Sequence, residues 1–352
     1  MDLSILIVNW SSANYLGACL DSVYRQVKGI EFEVLVVDNA SYDGSAELMR
    51  TRFPQATFIQ SEKNLGFIGG NNFLYRHSRG RNLLLLNPDT EVPGDAIQRM
   101  MAHLESLPQA GAIGARLLNA DASVQTSSIQ TFPTILNQLL DADALRRRFP
   151  HSRLWNLTPL YAEGAPPAPV DAISGACFMV KRAVFEAVGL MSDDYLMFGD
   201  DVDLSFKIHR AGYRVYHAGD CRVTHFGGRS TASLDAGLTD VWMRDAKHQF
   251  FVKFHGRFYA ALYKALMAGA ALVRLTLIAA MRLIARGTSR REALRLSFAK
   301  WKRILQWAVG MKAWGERGGQ RLGMRRPGAP LECATGVPPV PGHGQDGHAT
   351  SL

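Results

Sequence analysis

Three carboxylates crowd into four residues at Asp200, Asp201 and Asp203, inside the stretch YLMFGDDVDLS (195–205). Carboxylates at a helix start can cap free N–H groups and complement the helix dipole, and Asp203 alone would suffice for that. The other two follow an apolar approach, Leu196, Met197 and Phe198, whose partial burial would raise a carboxylate toward general-base duty. A further carboxylate, Asp89, ends the run NLLLLNPDTE (82–91). It either caps the next helix or holds a divalent cation. Asp38-Asn39 follows the apolar run EVLVV (33–37), which suits an Asx-turn or a contact with a nucleoside's ribose or base. His225 precedes Phe226-Gly227-Gly228-Arg229-Ser230; it reads as a structural histidine or as part of a basic turn that reaches a phosphate. The segment 64–72 (NLGFIGGNN) is glycine-rich but is not G-x-G-x-x-G, so the dinucleotide fingerprint of dehydrogenases is absent.

Elements that would position these residues follow from the apolar pattern. Four leucines at 83–86 suit a short strand buried on both faces of a parallel sheet, and Pro88 ends its ladder. Leu3–Val8 and Glu33–Val37 read as further buried strands, Thr57–Gln60 and Ala112–Leu117 as others. Helices are expected at Tyr15–Gln26 (capped by Ser11 or Ser12), Ala46–Arg52, Asp95–Leu107, Arg182–Val188 and Leu204–Ala211, with a left-handed Gly212 closing the last. A glycine-rich turn at 64–72 leads into another helix. Val170–Val180 is strand-like around Ser174-Gly175, and Arg214–His217 is a short strand. Residues 130–170, with Arg146-Arg147-Arg148 and a Pro-rich loop at Ala165–Pro169, read as a variable insertion. Strands alternating with helices imply an α/β fold with right-handed crossovers. Each polar cluster then falls at the carboxyl ends of strands, the edge where such sheets bind ligands.

The formal charge of +9 over 352 residues is unevenly spread. Residues 1–243 hold 21 Lys/Arg and 26 Asp/Glu; residues 244–352 hold 19 and 5. A basic tail seeks phosphate, in nucleic acid or anionic lipid. No recognised nucleic-acid module accompanies it, which argues against nucleic acid. Treated as one helix over 253–290, Lys253, Arg257, Lys264, Arg274, Arg282, Arg286 and Arg290 fall within an arc of about 160°, with an apolar face opposite. That pattern predicts a helix lying in a membrane interface, or one packing its apolar face on the body. Trp301, Trp307 and Trp314 suit interfacial anchoring. Beyond Arg325 the Pro/Gly-rich sequence predicts disorder. Cys19, Cys177, Cys221 and Cys333 show no metal-ligand spacing and fit free thiols in a reducing compartment. No signal peptide is legible, so a cytoplasmic protein is expected.

Five stretches in order resemble glycosyltransferase family 2, in its non-processive, rhamnosyltransferase-like members. They are VVDNASYDGS (36–45), NLGFIGGNN (64–72), LLLLNPD (83–89), SGACFMVKRAVFEAVGLMSDDYLMFGDDVDLSFKIHRAGYRV (174–215) and HFGGRS (225–230). The resemblance implies a GT-A, Rossmann-like fold: a mainly parallel sheet flanked by helices over residues 1–245. A basic amphipathic helical extension (246–323) and a disordered tail (324–352) would follow. It also implies a nucleoside-diphosphate sugar donor and a glycan or lipid-linked glycan acceptor; together with the basic tail, this sets the expected location on the inner, anionic face of the cell membrane. Asp38 and Asn39 would contact the nucleoside, with Asn9 in the same pocket. Asn64, Gly66 and Asn71 would lie under nucleotide and sugar. Asp89, in the place of the family's DxD, would hold Mg²⁺ or Mn²⁺, and His225 would complete that site. Asp201 matches the catalytic base, with Asp200 beside it where glutamate is common; Asn87 leaves the DxD position a single carboxylate. The processive polymerases' QxxRW is missing. A sugar nucleotidyltransferase would favour a basic P-loop-like turn near the N-terminus, which is lacking. A catalytically silent nucleotide-sugar-binding protein is disfavoured by the intact Asp89/Asp201 pair.

Overall fold

Short apolar runs form the middle of a sheet because burial on both faces suits a strand better than a helix. The chain begins β1 (Leu3–Asn9), α1 (Ala13–Gln26), β2 (Phe32–Asn39), α2 (Ser45–Arg52), β3 (Thr57–Ser61), α3 (Gly66–His77) and β4 (Asn82–Leu86). It continues with β5 (Thr90–Glu91), α4 (Ala96–Ser106), β6 (Ala110–Leu118), β7 (Ile129–Gln130), α5 (Ile135–Leu139), β8 (Ala168–Val170), β9 (Ala172–Ile173) and β10 (Cys177–Lys181). It ends with α6 (Arg182–Ala187), α7 (Asp200–Arg210), β11 (Arg214–His225), α8 (Ala236–His255), α9 (Arg257–Ile284) and α10 (Thr288–Ala308). This computed structural model describes residues 1–140, 149, 160, 164–195, 197–227, 236–285 and 287–311. Arg146-Arg147-Arg148, Leu196, Gly228-Arg229-Ser230, Arg286, Trp314, Cys333 and the 324–352 tail lie outside them.

The main sheet has strand order β3-β2-β1-β4-β10-β6-β11-β5, with β8 added on β11. The half from β3 to β4 is parallel, as the strand–helix alternation predicts. Beyond it β10 runs antiparallel between β4 and β6, and β11 is again parallel to β6. The sheet is therefore mainly, not wholly, parallel. Leu84 and Leu86 of β4 pack with residues of α1 and α4 on one face, and Leu83 and Leu85 with α3 and α7 on the other. All four leucines are at most 1% exposed, each stabilising the fold by roughly 2 kcal/mol through burial. The cysteines Cys19, Cys177 and Cys221 are buried free thiols within this core.

Two elements differ from the expected pattern. The glycines of 64–72 do not form an extended loop: α3 already starts at Gly66, so Gly69 and Gly70 lie inside it. A Cβ on Gly70 would meet both Val8 methyls at 2.8 Å, so the residue lets α3 sit close on β1. The single helix expected over 253–290 is three helices, because Gly256 and Gly287 adopt φ of 89° and 90°. Helices α8, α9 and α10 share a third core, in which Val241, Phe251, Tyr263, Trp301 and Trp307 surround Val202 of α7 and Ala172 of β9.

Gly70→Val should force two methyls into this contact and lower stability by about 1–3 kcal/mol, the usual cost of overpacking. Thermal denaturation of the variant should show a lower Tm with unchanged secondary structure by circular dichroism.

Candidate active site along the carboxyl edge

The carboxyl ends of β1 and β2 bring Asn9 and Asp38 side by side. Asp38 is fully buried and its carboxylate is completely engaged. Its Oδ1 accepts from Asn9 Nδ2 at 2.7 Å and from the Ser41 hydroxyl, and its Oδ2 from Gln60 Nε2 at 2.7 Å and the Ser41 N–H at 3.1 Å. It thus builds the Asx-turn and spends its acceptors on the protein. The asparagines around it are different. Asn9, Asn39 and Asn71 each use one end of the amide, on Asp38, on the Gly66 carbonyl (3.1 Å) and on the Phe67 carbonyl (2.9 Å). The other end of each is buried and makes no hydrogen bond within the chain. Buried amide atoms left in this state call for a partner. Asn64 accepts the Gly66 N–H at 2.9 Å and starts α3.

Sequence reading missed Asp43. Its Oδ2 takes the Ala13 N–H at 2.8 Å and its Oδ1 the Ser45 N–H at 3.2 Å, so one carboxylate serves the starts of both α1 and α2. Burial raises its pKa, but these N–H donors outweigh it and leave the group below the ordinary range. The cap expected from Ser11 or Ser12 is absent: Ser12 turns its hydroxyl to the Trp10 carbonyl. Ala40 and Tyr42, in the loop between, hold left-handed φ of 57° and 48°, local strain of the kind found at binding loops.

Asp89 does not cap α4, whose N-cap is Asp95. The short ladder of β5 on β11 pairs Thr90 with His225 and carries the histidine to the end of the leucine strand. There His225 Nε2 lies 3.3 Å from Asp89 Oδ1 and 3.3 Å from Asn87 Nδ2. Gln125 fixes the ring. Its Nε2 donates to the His225 carbonyl at 2.5 Å, so its Oε1 faces Nδ1 at 2.9 Å and must accept a proton from it. Nε2 is thereby turned toward the Asp89 carboxylate and the Asn87 amide. A carboxylate and an imidazole nitrogen, oriented by an outer amide, fit a divalent cation that takes its other ligands from phosphate and water. Asn119, Gln125, Thr126, Ser127, His225 and Phe226 line a polar cleft of about 450 Å³ beside this pair.

The acidic cluster forms the first turn of α7, four residues earlier than the predicted start. None of the three carboxylates is the N-cap residue, which is Gly199. Phe198 and Gly199, at φ of 68° and 82°, make the turn, and Asp203 N–H bonds the Gly199 carbonyl. Asp203 is fully buried and accepts from Ser192 Oγ, Tyr195 OH and Lys253 Nζ at 2.7, 2.9 and 2.8 Å. Asp201 is held by Gln130 Nε2 at 2.5 Å and the Gly175 N–H at 3.2 Å on Oδ2, and by the Val202 N–H at 2.8 Å on Oδ1. Burial raises both Asp200 and Asp201, and for Asp200 the Asp201 charge adds to it; the donors on Asp201 oppose the rise. Phe67 of α3 packs at Gly175, which joins the glycine segment to this carboxylate. Gln125 and Gln130 lie on either end of one short segment and contact His225 and Asp201 respectively. Nothing in their spacing marks them out beforehand.

Because folding raises the Asp200 pKa above its ordinary 3.8, ionisation opposes folding once pH exceeds that value. Asp200→Asn should therefore raise Tm at neutral pH. The gain should shrink as pH falls from about 8 toward 3.8 and be lost below it, where the wild-type group is protonated in both states; melting curves across pH check this.

A family model described as glycosyl transferase family 2 matches residues 4–189. The chain is 26% identical over 265 residues to a low-salt glycan biosynthesis hexosyltransferase of Haloferax volcanii, covering 74% of this chain and 75% of that one. It is also 26% identical over 242 residues to the N-acetylglucosaminyl-diphospho-decaprenol L-rhamnosyltransferase of Mycobacterium tuberculosis, covering 65% and 77%. Among solved structures, mannosyltransferase PcManGT from Pyrobaculum calidifontis, in complex with GDP-Man and Mn²⁺, superposes with a TM-score of 0.54 at 18% identity, over 91% of this chain and 86% of that one. The shared fold is GT-A, and with the family model spanning more than half its length, the chain belongs to glycosyltransferase family 2.

Proposed function

We propose that the chain transfers one hexose or deoxyhexose from a nucleoside-diphosphate donor to a hydroxyl of a glycan or lipid-linked glycan, with inversion, in cell-surface polysaccharide synthesis. The observation that carries this reading is Asp201. Its carboxylate is aimed by three N–H donors while burial raises its affinity for a proton. A fixed carboxylate of raised pKa suits removal of a proton from an acceptor hydroxyl as it attacks the sugar. Asp200, one residue earlier, is itself raised by burial and by the Asp201 charge. The unpartnered amide oxygens of Asn9, Asn39 and Asn71 supply acceptors for N–H groups of a nucleoside base or for ribose or sugar hydroxyls. Asp89 and His225 are the residues that would hold Mg²⁺ or Mn²⁺. A divalent cation bound there would offset the charge of the departing nucleoside diphosphate. The named activities of the two relatives support a hexosyl or rhamnosyl donor, and the decaprenol of the mycobacterial relative supports a lipid-linked acceptor.

The test is a thermal-shift panel of dTDP-, UDP- and GDP-sugars with and without Mn²⁺, since a ligand selective for the folded state raises Tm. One nucleotide sugar should stabilise the wild type with metal present, and Asp89→Ala should lose the metal dependence. Asp201→Asn should retain that shift while turnover falls by about 10²–10⁴-fold, the usual contribution of a general base. A folded protein that no nucleotide sugar stabilises would sink the proposal. Retained turnover in Asp201→Asn would remove the base assignment, and a shift without any transfer would favour a silent binding protein.

A further inference from the structure

Helix α9 is turned inside out relative to a helix on a water-soluble surface. Lys264 and Arg274, in its middle, are half-buried against the protein, while Arg257 and Arg282 near its ends are exposed. Lys264 Nζ lies 5.1 Å from the Trp307 ring centroid, Arg274 Cζ 4.3 Å from Trp301 and Arg282 Cζ 5.4 Å from Phe298. Its leucines face outward. Phe258 is 86% exposed and Leu283 88%, with Leu266, Val273 and Leu277 exposed between them. From Phe258 to Met281 no exposed residue carries a charge. The one exposed hydroxyl there, on Thr276, is turned back onto the Leu272 carbonyl at 3.0 Å. A surface helix normally places these two sets the other way round. The sequence pattern left open whether the apolar face opposite the cations meets a membrane or the body; in the structure Lys264, Arg274 and Arg282 meet the aromatic rings of α10.

Two observations say what covers the outward face. First, α9 is long and apolar enough to cross a bilayer, yet α10 runs antiparallel along it, Phe298, Trp301 and Trp307 meeting Arg282, Arg274 and Lys264 in turn. Arg290, Arg295 and Lys302 of α10 are exposed, and a spanning α9 would carry these charges into hydrocarbon, where they are costly. An in-plane α9 sets them at headgroup level. Second, the charge is one-sided: residues 244–352 hold 19 Lys/Arg against 5 Asp/Glu. A second copy of the chain would set like charges against each other, whereas anionic lipid complements them. The Gly- and Pro-rich sequence 312–352 offers no amphipathic run to lie on the leucines.

We infer that α9 lies in the plane of an anionic bilayer, leucines among the acyl chains and the cations of α10 at the headgroups. The apolar strip runs roughly 40 Å at 1.5 Å per residue. Helix α5 adjoins α9: Arg274 Nη2 donates to the Leu139 carbonyl at 3.0 Å, and Leu136 and Leu140, on either side of Leu139 in the chain, are exposed. The same segment begins at Gln130, which holds Asp201. Lipid-facing surface and candidate base are thus joined by one short stretch, which would present a lipid-linked acceptor close to Asp201. That last step rests on the proposed transferase reading; the bilayer contact does not.

Flotation of the full chain with phosphatidylcholine vesicles, with and without roughly one-third phosphatidylglycerol, tests the inference. Wild type should float with the anionic vesicles, less so in high salt, and be released by carbonate. Leu266→Glu/Leu277→Glu should weaken binding at least tenfold, and Arg295→Glu/Lys302→Glu should remove the preference for anionic lipid. Both pairs lie at exposed positions, and unchanged circular dichroism and nucleotide-sugar thermal shift would confirm intact folding. Absence of wild-type flotation, or full binding by the leucine pair, overturns the inference. So does resistance to carbonate extraction, which would mean a span, or a dimer in solution that the leucine substitutions split. Flotation requires no sugar transfer, so its failure is separate from failure of the enzymatic reading. If flotation holds, wild type should favour a lipid-linked acceptor over a short-chain soluble one, and the leucine pair should lose that preference; equal rates would remove the acceptor step alone.

Discussion

A carboxylate taken wholly out of water must be met by donors, and the arrangement of the second half of the chain follows from how Asp203 is met. Ser192 and Tyr195 come from the loop that leads into α7, Lys253 from α8, and Lys207 approaches from one turn further along α7 at 3.8 Å. Burial and the Asp203 charge hold the Tyr195 phenol protonated, so it remains a donor. One group thereby clamps a loop, a helix and the C-terminal helices, and the turn bearing Asp200 and Asp201 is caught between them. Removing one partner of such a buried pair commonly costs about 3–5 kcal/mol, less where the partner keeps contact with solvent, as Lys253 does.

Along the carboxyl edge the balance is reversed. Asp203 is satisfied and serves the fold; Asp200 and Asp201 sit too close together, in too little water, to be comfortable as two charges. Asn9, Asn39 and Asn71 bury amide atoms without partners, and Ala40 and Tyr42 hold strained backbone. Local rules broken together on one edge, over a well-packed sheet, are what singles this edge out as the candidate site.

How much of this the sequence discloses depends on whether the cause is local. The leucines of β4 and the apolar runs of β1 and β2 had no alternative to a strand buried on both faces, so the sheet and the place of Asp89 were legible. The antiparallel insertion of β10 was not, because register depends on neighbours distant in sequence. Strand β11 looked short because an irregularity between Ala218 and Arg222, around Gly219 and Asp220, interrupts its pattern; the strand in fact runs on to deliver His225. Asp203 looked like a cap because its partner Lys253 lies fifty residues away. Gln125 and Gln130 carried no signal, since glutamine is common in loops and only tertiary contact gives it a role. For α9 the arc of cations was correctly counted, but Gly256 and Gly287 break the helix, and the aromatic rings that receive the charges belong to another element.

The third core has a practical consequence. Helices α8 to α10 cover Val202 on the helix that bears the candidate base, and α8 supplies a cation to Asp203. A chain shortened before Ala236 to make it easier to handle in water would strip that helix of its outer packing and remove a counter-charge. Solubility would then be gained at the expense of the very residues one set out to study. The exposed leucines of α9 and the helix bearing Asp201 belong to one packed unit, so the better route to a tractable preparation is to exchange outward leucines of α9 for polar residues and leave the helix in place.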